Sequence, residues 1–403
     1  MRLRAMVTAS LLGAAIVMLP AAPAWAGCTH VTLTQATAVT PAKDDAGNWV
    51  LARFGLNRLP ANVDGRTVTV AVLDSGVQAN HPALQGRVRD DGRDLLEAGG
   101  ATRGREDCRG HGTGVASLIA GNARGGFRGI APGARILPIR VNETIGGESD
   151  DGRKTDDNKI AAAIDYAIEH GADVINLSFA YLNADADPAK HRVFADAIRR
   201  AVEKDIVVVA AMGNEKDATD SFPANQEGVI GVAAIKLDGT RWDNSAGGKD
   251  VDVSAPGGQV LVGWPHGVYT EVQGTSFAAP IVAGTAALLK QLHPKWKGSQ
   301  FITQITATAD PSPGGKASKF YGAGVVDPVR AVNDLPAFGE AFKNPNVPVQ
   351  EDDPQAIAAE QRSKDLRARA LWLALGGGAL TVIILLSSSI LHNGLRRRWR
   401  PAE

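Results

Sequence analysis

Cysteine is scarce in this 403-residue chain, with two copies, so a four-cysteine zinc site and a cysteine-stapled mini-domain are both excluded. Neither sign of charge is in excess: 43 Lys and Arg balance 43 Asp and Glu, for a formal net charge of zero. A nucleic-acid binder working through bulk electrostatics needs surplus basic residues on a folded face, so the balance argues against that class. No internal repeat recurs along the chain. What the sequence does have is 44% hydrophobic and 21% charged residues, enough for a large core and unlike a disordered or fibrous chain. Its 45 glycines predict many tight turns.

Two hydrophobic ends bracket a soluble middle. Met1-Arg2-Leu3-Arg4, an apolar stretch to Leu19 and then Ala24-Trp25-Ala26 follow the order of a secretory signal peptide cleaved after Ala26. Near the other end, residues 370–391 carry no charge. At a rise of about 1.5 Å per residue they are long enough to cross a hydrocarbon layer of about 30 Å, and are expected to form a transmembrane helix. Basic residues flank both sides, Arg367 and Arg369 before and Arg396 to Arg398 after, so their count does not orient the span. The signal peptide does orient it, placing everything before the span outside and the Arg-rich tail in the cytoplasm. The stretch from Asn333 to Asp353, punctuated by Pro336, Pro345 and Pro348, reads as a linker. The expected organisation is therefore signal peptide 1–26, N-terminal extension 27–64, globular domain 65–332, linker and juxtamembrane segment 333–369, span 370–391 and basic tail 392–403.

Within the globular domain, strand and helix patterns alternate. Thr67 to Leu73 is a β-branched run closed by Asp74, and Ile136 to Val141, Val174 to Leu177 and Ile206 to Ala211 are further strand candidates. Gly112 to Ala120, the stretch carrying Ile160, Ile164 and Ala167, and the stretch carrying Phe194, Ile198 and Ala201 have helical spacing. Such alternation predicts a parallel sheet with helices on both faces and working residues beyond the carboxyl ends of its strands.

Three separated segments carry the chemistry. Val70-Ala71-Val72-Leu73-Asp74-Ser75-Gly76 puts a carboxylate at the end of a buried strand, Gly110-His111-Gly112-Thr113-Gly114 puts a histidine at the start of a helix, and Gly274-Thr275-Ser276-Phe277-Ala278-Ala279-Pro280 puts a serine at the start of a helix running to about Leu292. A serine hydroxyl is a poor nucleophile unless a base lies within hydrogen-bond reach and a carboxylate orients that base. A helix N-terminus at the serine adds unpaired N–H groups for the oxyanion. Taken singly, the Asp is a turn former, the His a polar surface group and the Ser an N-cap; the three small-residue contexts together make coincidence a poor account.

From about Thr67 to Val329 the sequence resembles the subtilisin-like serine proteases. Further agreement comes from Gly129-Ile130-Ala131-Pro132-Gly133-Ala134, Val174-Ile175-Asn176-Leu177-Ser178 and Asp252-Val253-Ser254-Ala255-Pro256-Gly257. The resemblance implies an α/β fold of the subtilisin type, a parallel sheet flanked by helices, here with one C-terminal transmembrane helix. It implies that Asp74 orients the imidazole, His111 is general base and then acid, and Ser276 is the nucleophile. Ala210-Ala211-Met212-Gly213-Asn214 matches the family segment whose asparagine donates to the oxyanion, with Met212 where a smaller residue is usual. An extended substrate is then expected to pair with backbone near Ser178, Phe179 and Ala180. No acidic loop has the spacing of a calcium site, and neither metal nor cofactor is expected.

A narrower resemblance is to the mycosins, the membrane-anchored subtilases of type VII secretion. It rests on the architecture and on Glu106-Asp107-Cys108-Arg109-Gly110-His111, with a cysteine just before the histidine. It implies that residues 27–64 wrap the domain as an N-terminal extension and that Cys28 pairs with Cys108; two unrelated buried thiols are the alternative. The expected function is a membrane-anchored serine endopeptidase, with its catalytic domain outside the membrane, acting on exported proteins and associated with a type VII secretion membrane complex. The partners are then protein or peptide substrate, that complex and membrane lipid, with no nucleic acid. The competing function is a structural subunit that stabilises the secretion complex, with proteolysis secondary.

Overall fold

The computed structural model describes residues 49–97, 100, 102–123, 127–143, 156–312, 317–336 and 338. The chain divides into two units, Met1–Ala341 and Phe342–Glu403, and every described residue belongs to the first. The expected signal peptide, Cys28, most of the linker, the span 370–391 and the basic tail lie outside the described residues. Among the described residues no helix is long and apolar enough to cross a membrane.

The strands are β1 Thr69–Asp74, β2 Arg93–Asp94, β3 Arg135–Arg140, β4 Val174–Leu177, β5 Tyr181–Leu182, β6 Val207–Ala211, β7 Ser221–Phe222, β8 Val229–Ile235, β9 Val253–Pro256, β10 Val260–Trp264, β11 Val268–Val272, β12 Asp310–Pro311 and β13 Gly324–Val325. The helices are α1 Trp49–Phe54, α2 His111–Ala120, α3 Asp157–Glu169, α4 Arg192–Glu203, α5 Thr275–Leu292, α6 Gly298–Ala307 and α7 Pro328–Asn333. The expected alternation is present, with ends displaced by one to three residues. Two antiparallel pairs, β5 with β7 and β10 with β11, are additional.

One sheet organises the molecule, in the order β12-β13-β9-β8-β6-β4-β1-β3-β2, parallel except where β12 meets β13. After β1 the chain moves outward to β3, then returns to place β4 on β1's other side, so the strand order reverses at β1. In open α/β sheets ligands bind beyond the carboxyl ends of the strands at such a reversal, which here is the edge after β1 and β4. The register aligns Leu73, Leu177, Ala210 and Gly231 across the edge, so that Asp74, Ser178 and the segment after β6 emerge side by side.

Side chains alternate between two cores, as pleating requires. Val70, Val72, Val174, Val207 and Val209 face the core that includes α2 and α5, while Ala71, Leu73, Ile175, Leu177 and Val208 face the core of α3 and α4. The described part of the N-terminal extension joins the first core through Val50, Phe54, Leu56 and Leu59. It is tied to the far end of α5, where the Gln291 side chain accepts from the N–H groups of Asp64 and Gly65 at 3.0 and 2.6 Å and donates to the Asn62 carbonyl.

Candidate active site

β1 ends in Asp74, whose side chain is buried. The chain must then turn sharply, and Gly76 does so at φ 106°, where a Cβ would come within 1.9 Å of the Glu106 carbonyl oxygen; both the conformation and the close approach require glycine. Asp74 Oδ1 accepts from the Ser75 N–H at 2.7 Å and from His111 Nδ1 at 2.7 Å. Asp74 Oδ2 is buried and takes no hydrogen bond among the described residues.

His111 is the first residue of α2, and the helix rests directly on the Asp74 turn. A Cβ on Gly112 would lie 2.0 Å from the Gly76 carbonyl oxygen and 3.0 Å from Asp74 Cβ, which is why glycine follows the histidine. With Nδ1 facing an ionised carboxylate, that nitrogen carries the proton and Nε2 is left as the basic position. Burial disfavours the imidazolium, but the charge and hydrogen bond of Asp74, with the charge of Asp107 behind them, outweigh it and raise the His111 pKa above the ordinary imidazole value. The ring of Phe277 packs on the imidazole at 5.0 Å between centroids.

Ser276 lies in the first turn of α5, a helix buried along nearly its whole length and apolar through most of its middle. Pro280 is accommodated early in this helix, and Gly274 precedes it at φ 150°, ψ 154°. A carbon added at Gly274 would come within 3.0 Å of Ser276 Oγ and 3.4 Å of Asn214 Nδ2, so the glycine keeps open a small space that both atoms face. The orientation of Asn214 is fixed by donors: Thr275 N–H and Oγ1 donate to Oδ1 at 3.0 and 2.9 Å, and the Gly213 N–H donates to Thr275 Oγ1 at 2.9 Å. Nδ2 is thereby left to donate elsewhere. It stands beside the first N–H groups of α5, which lack intrahelical partners.

The structure thus brings Asp74 against His111, and places Ser276 and Asn214 around the one space beside Gly274. The residues after β4 join the same edge. Ser178 is buried, accepting from Asn176 Nδ2 at 2.8 Å and donating to the Ser276 carbonyl at 2.8 Å; Phe179 and Ala180 are half-exposed. Ser178 therefore braces the backbone of Ser276. Met212 is wholly buried in the core of α3 and α4, beneath the edge. Cys108 is buried near the imidazole's helix, with Arg140 Nη2 donating to its Sγ at 3.7 Å.

Sequence reasoning missed Asp107 and Thr275. Asp107 sits in the quoted segment before His111, but nothing local distinguishes it from a loop carboxylate; the signal available was a helix whose N-cap, Gly110, has no capping side chain.

The Subtilase family model matches residues 65–324. Subtilisin E of Bacillus subtilis (strain 168) is 33% identical over 268 residues, covering 65% of this chain and 65% of that protein. The major intracellular serine protease of the same strain is 34% identical over 234 residues, 57% of this chain and 70% of its own length. Among solved structures, the chain is similar to MycP1, a serine protease described as an essential component of the type VII (ESX-1) secretion system, with a TM-score of 0.63 and 31% identity over 74% of this chain and 91% of that one. MycP1 from Mycobacterium smegmatis gives a TM-score of 0.63 and 29% identity over 78% and 92%. The matching family model and these relatives agree with the geometry at the carboxyl edge: the chain belongs to the subtilase family, is similar in structure to its mycosins, and is a subtilisin-like serine endopeptidase.

Proposed function

We propose that Asp74, His111 and Ser276 are the catalytic triad and that Asn214 is an oxyanion donor. The observation that carries this is the pairing of the 2.7 Å Asp74–His111 contact with the space at Gly274 that Ser276 Oγ and Asn214 Nδ2 share. In the reaction, His111 Nε2 takes the Ser276 proton as Oγ attacks the scissile carbonyl, and Asp74 stabilises the imidazolium that forms. The oxyanion receives hydrogen bonds from Asn214 Nδ2 and the Ser276 N–H. The imidazolium then protonates the leaving amine, and water, activated by the same base, releases the acyl group. Residues 178–180 offer backbone along which an extended substrate adds a strand.

The protease is anchored by residues 370–391 with its catalytic domain outside the membrane, and it acts on exported proteins in association with a type VII secretion complex. The charge-free span, the signal peptide pattern and the mycosin neighbours support this reading. Cys28 and Cys108 form a disulfide; the oxidising exterior and the lack of free thiols among the described residues support it. Peptide mapping of the unreduced protein is expected to recover the two cysteines in one linked peptide. The triad is tested with Ser276→Ala, which is expected to abolish both casein hydrolysis and labelling by a fluorophosphonate; labelling that persists in this variant contradicts the assignment.

A further inference from the structure

Asp107 is 4% exposed, and its carboxylate collects five donors from three directions. Oδ1 accepts from Ser75 Oγ at 2.9 Å, the Arg109 N–H at 3.0 Å and the Gly110 N–H at 2.8 Å; Oδ2 accepts from the Thr113 N–H at 2.8 Å and Thr113 Oγ1 at 2.6 Å. The hydroxyl hydrogens can be assigned from their other partners. Ser75 Oγ accepts from the Gly112 N–H at 3.0 Å, and Thr113 Oγ1 accepts from the Gln78 N–H at 2.9 Å, so both hydroxyls spend their own hydrogen on Asp107.

Every neighbour of the carboxylate is therefore a donor, and a proton on either oxygen would point at another hydrogen. Burial pushes the Asp107 carboxyl above its ordinary range, while the Thr113, Gly110 and Ser75 donors oppose this. On the hydrogen-bond accounting the group is an anion despite its burial.

The placement of that anion matters because of what it joins. Ser75 is the residue after Asp74 and donates its own N–H to Asp74 Oδ1. Gly110, Gly112 and Thr113 are the N-cap and first turn of α2, which carries His111 and has no capping side chain of its own. Asp107 thus clamps the turn bearing the triad carboxylate to the helix bearing the imidazole. We propose that Asp107 is a positioning residue for catalysis: it holds the Asp74–His111 hydrogen bond in register and supplies a second negative charge that favours the imidazolium formed during acyl transfer. This rests on the triad reading above. The charged groups acting on the imidazole are Asp74 from β1 and Asp107 from the segment before α2, while Phe277 of α5, which packs on it, is uncharged.

The test uses the full chain in detergent and the pH dependence of fluorophosphonate labelling, resolved into kinact and KI. For Asp107→Asn, kinact is expected to fall about 10- to 100-fold with KI changed less than about threefold, as for a small misplacement of reacting groups. Loss of the nearby anion lowers the imidazole pKa, so the acid limb is expected to move to lower pH by about half to one unit. Ser75→Ala keeps the carboxylate but cuts its link to the Asp74 turn and removes the acceptor of the Gly112 N–H, so both ties that the Ser75 hydroxyl makes between that turn and α2 are lost; it is expected to lower kinact about tenfold with the midpoint unmoved, and it serves equally if the Asn variant does not fold. A folded Asp107→Asn protein with wild-type kinact and midpoint, even one that melts at lower temperature, makes Asp107 a helix cap only and overturns the proposal. So does wild-type kinact in Ser75→Ala. A wild-type chain that no fluorophosphonate labels at any pH instead overturns the triad reading, and this inference with it.

Discussion

The helices on one face of the sheet, α2 and α5, are buried along nearly their whole length, whereas α3 and α4 on the other face bury a single stripe. In α4 that stripe is Phe194, Ala197, Ile198 and Ala201, and the remaining surface carries ion pairs such as Arg200 with Asp165 at 2.8 Å and Arg199 with Glu203 at 2.8 Å. His111 and Ser276 both belong to the first pair. A helix enclosed by protein has one position it can occupy, because glycines such as Gly112 let backbone meet backbone and leave no slack. The contrast teaches that the residues proposed to react lie on the most constrained helices, while the amphipathic ones present a charged outer face.

Phe194→Ala probes the second face. The side chain is wholly buried, so the substitution is expected to lower unfolding free energy by about 3–5 kcal/mol, read by denaturant titration, with kcat at permissive temperature within about twofold of wild type. A large fall in kcat of the folded variant would mean that the two faces are coupled. Asn214→Ala is the converse. It removes a donor from the edge beyond β6 and is expected to lower kcat about 10²- to 10³-fold in steady-state hydrolysis, with little change in KM or melting temperature.

The pH profile sharpens the comparison further. On the proposed triad, catalysis needs neutral His111, and its pKa is raised by Asp74 and Asp107 over the opposing effect of burial. kcat/KM is therefore expected to rise with pH through a midpoint above the ordinary imidazole value near 6.5. The stability contribution has the opposite sign: protonated His111 paired with Asp74 stabilises the fold fully below the unfolded-state pKa, and this is lost as pH rises through the folded-state value. Activity and this share of stability trade off across one window. A kcat/KM midpoint at or below the ordinary value would show that burial, not the carboxylates, dominates at the imidazole.

Much of the site was legible in the chain because its signals are local. Asp74 at the end of an apolar β-branched run, His111 between glycines and Ser276 ahead of a small-residue helix each declare a strand end or helix start within a few residues. Periodicity also marked the stripes of α3 and α4, and the core strands, since burial on one or both faces imposes a repeat of side-chain type. The β10–β11 hairpin was not read from the chain although Pro265-His266-Gly267 between its strands is a turn signal, because β11 mixes Val268 and Val272 with Thr270 and Glu271 and shows no clean strand repeat; Trp264 is explained only by Gly110, against which it packs.

The sequence by itself determined which residue types meet at the site, the alternation of strand and helix, and the family to which they belong, because these follow from local pattern and side-chain chemistry. Only the tertiary structure decided which atoms face each other. It turned Asn214 Nδ2 toward the space beside Ser276 by occupying Oδ1 with Thr275, and set Ser178 under the Ser276 carbonyl. It gathered five donors around Asp107 and docked the residues before Gly65 at Gln291, at the end of α5 away from Ser276. Each of these joins segments that are distant in the chain or depends on the direction of a hydrogen bond, and neither is encoded in the spacing of residue types; both are settled only when the sheet closes and buried polar groups must find partners.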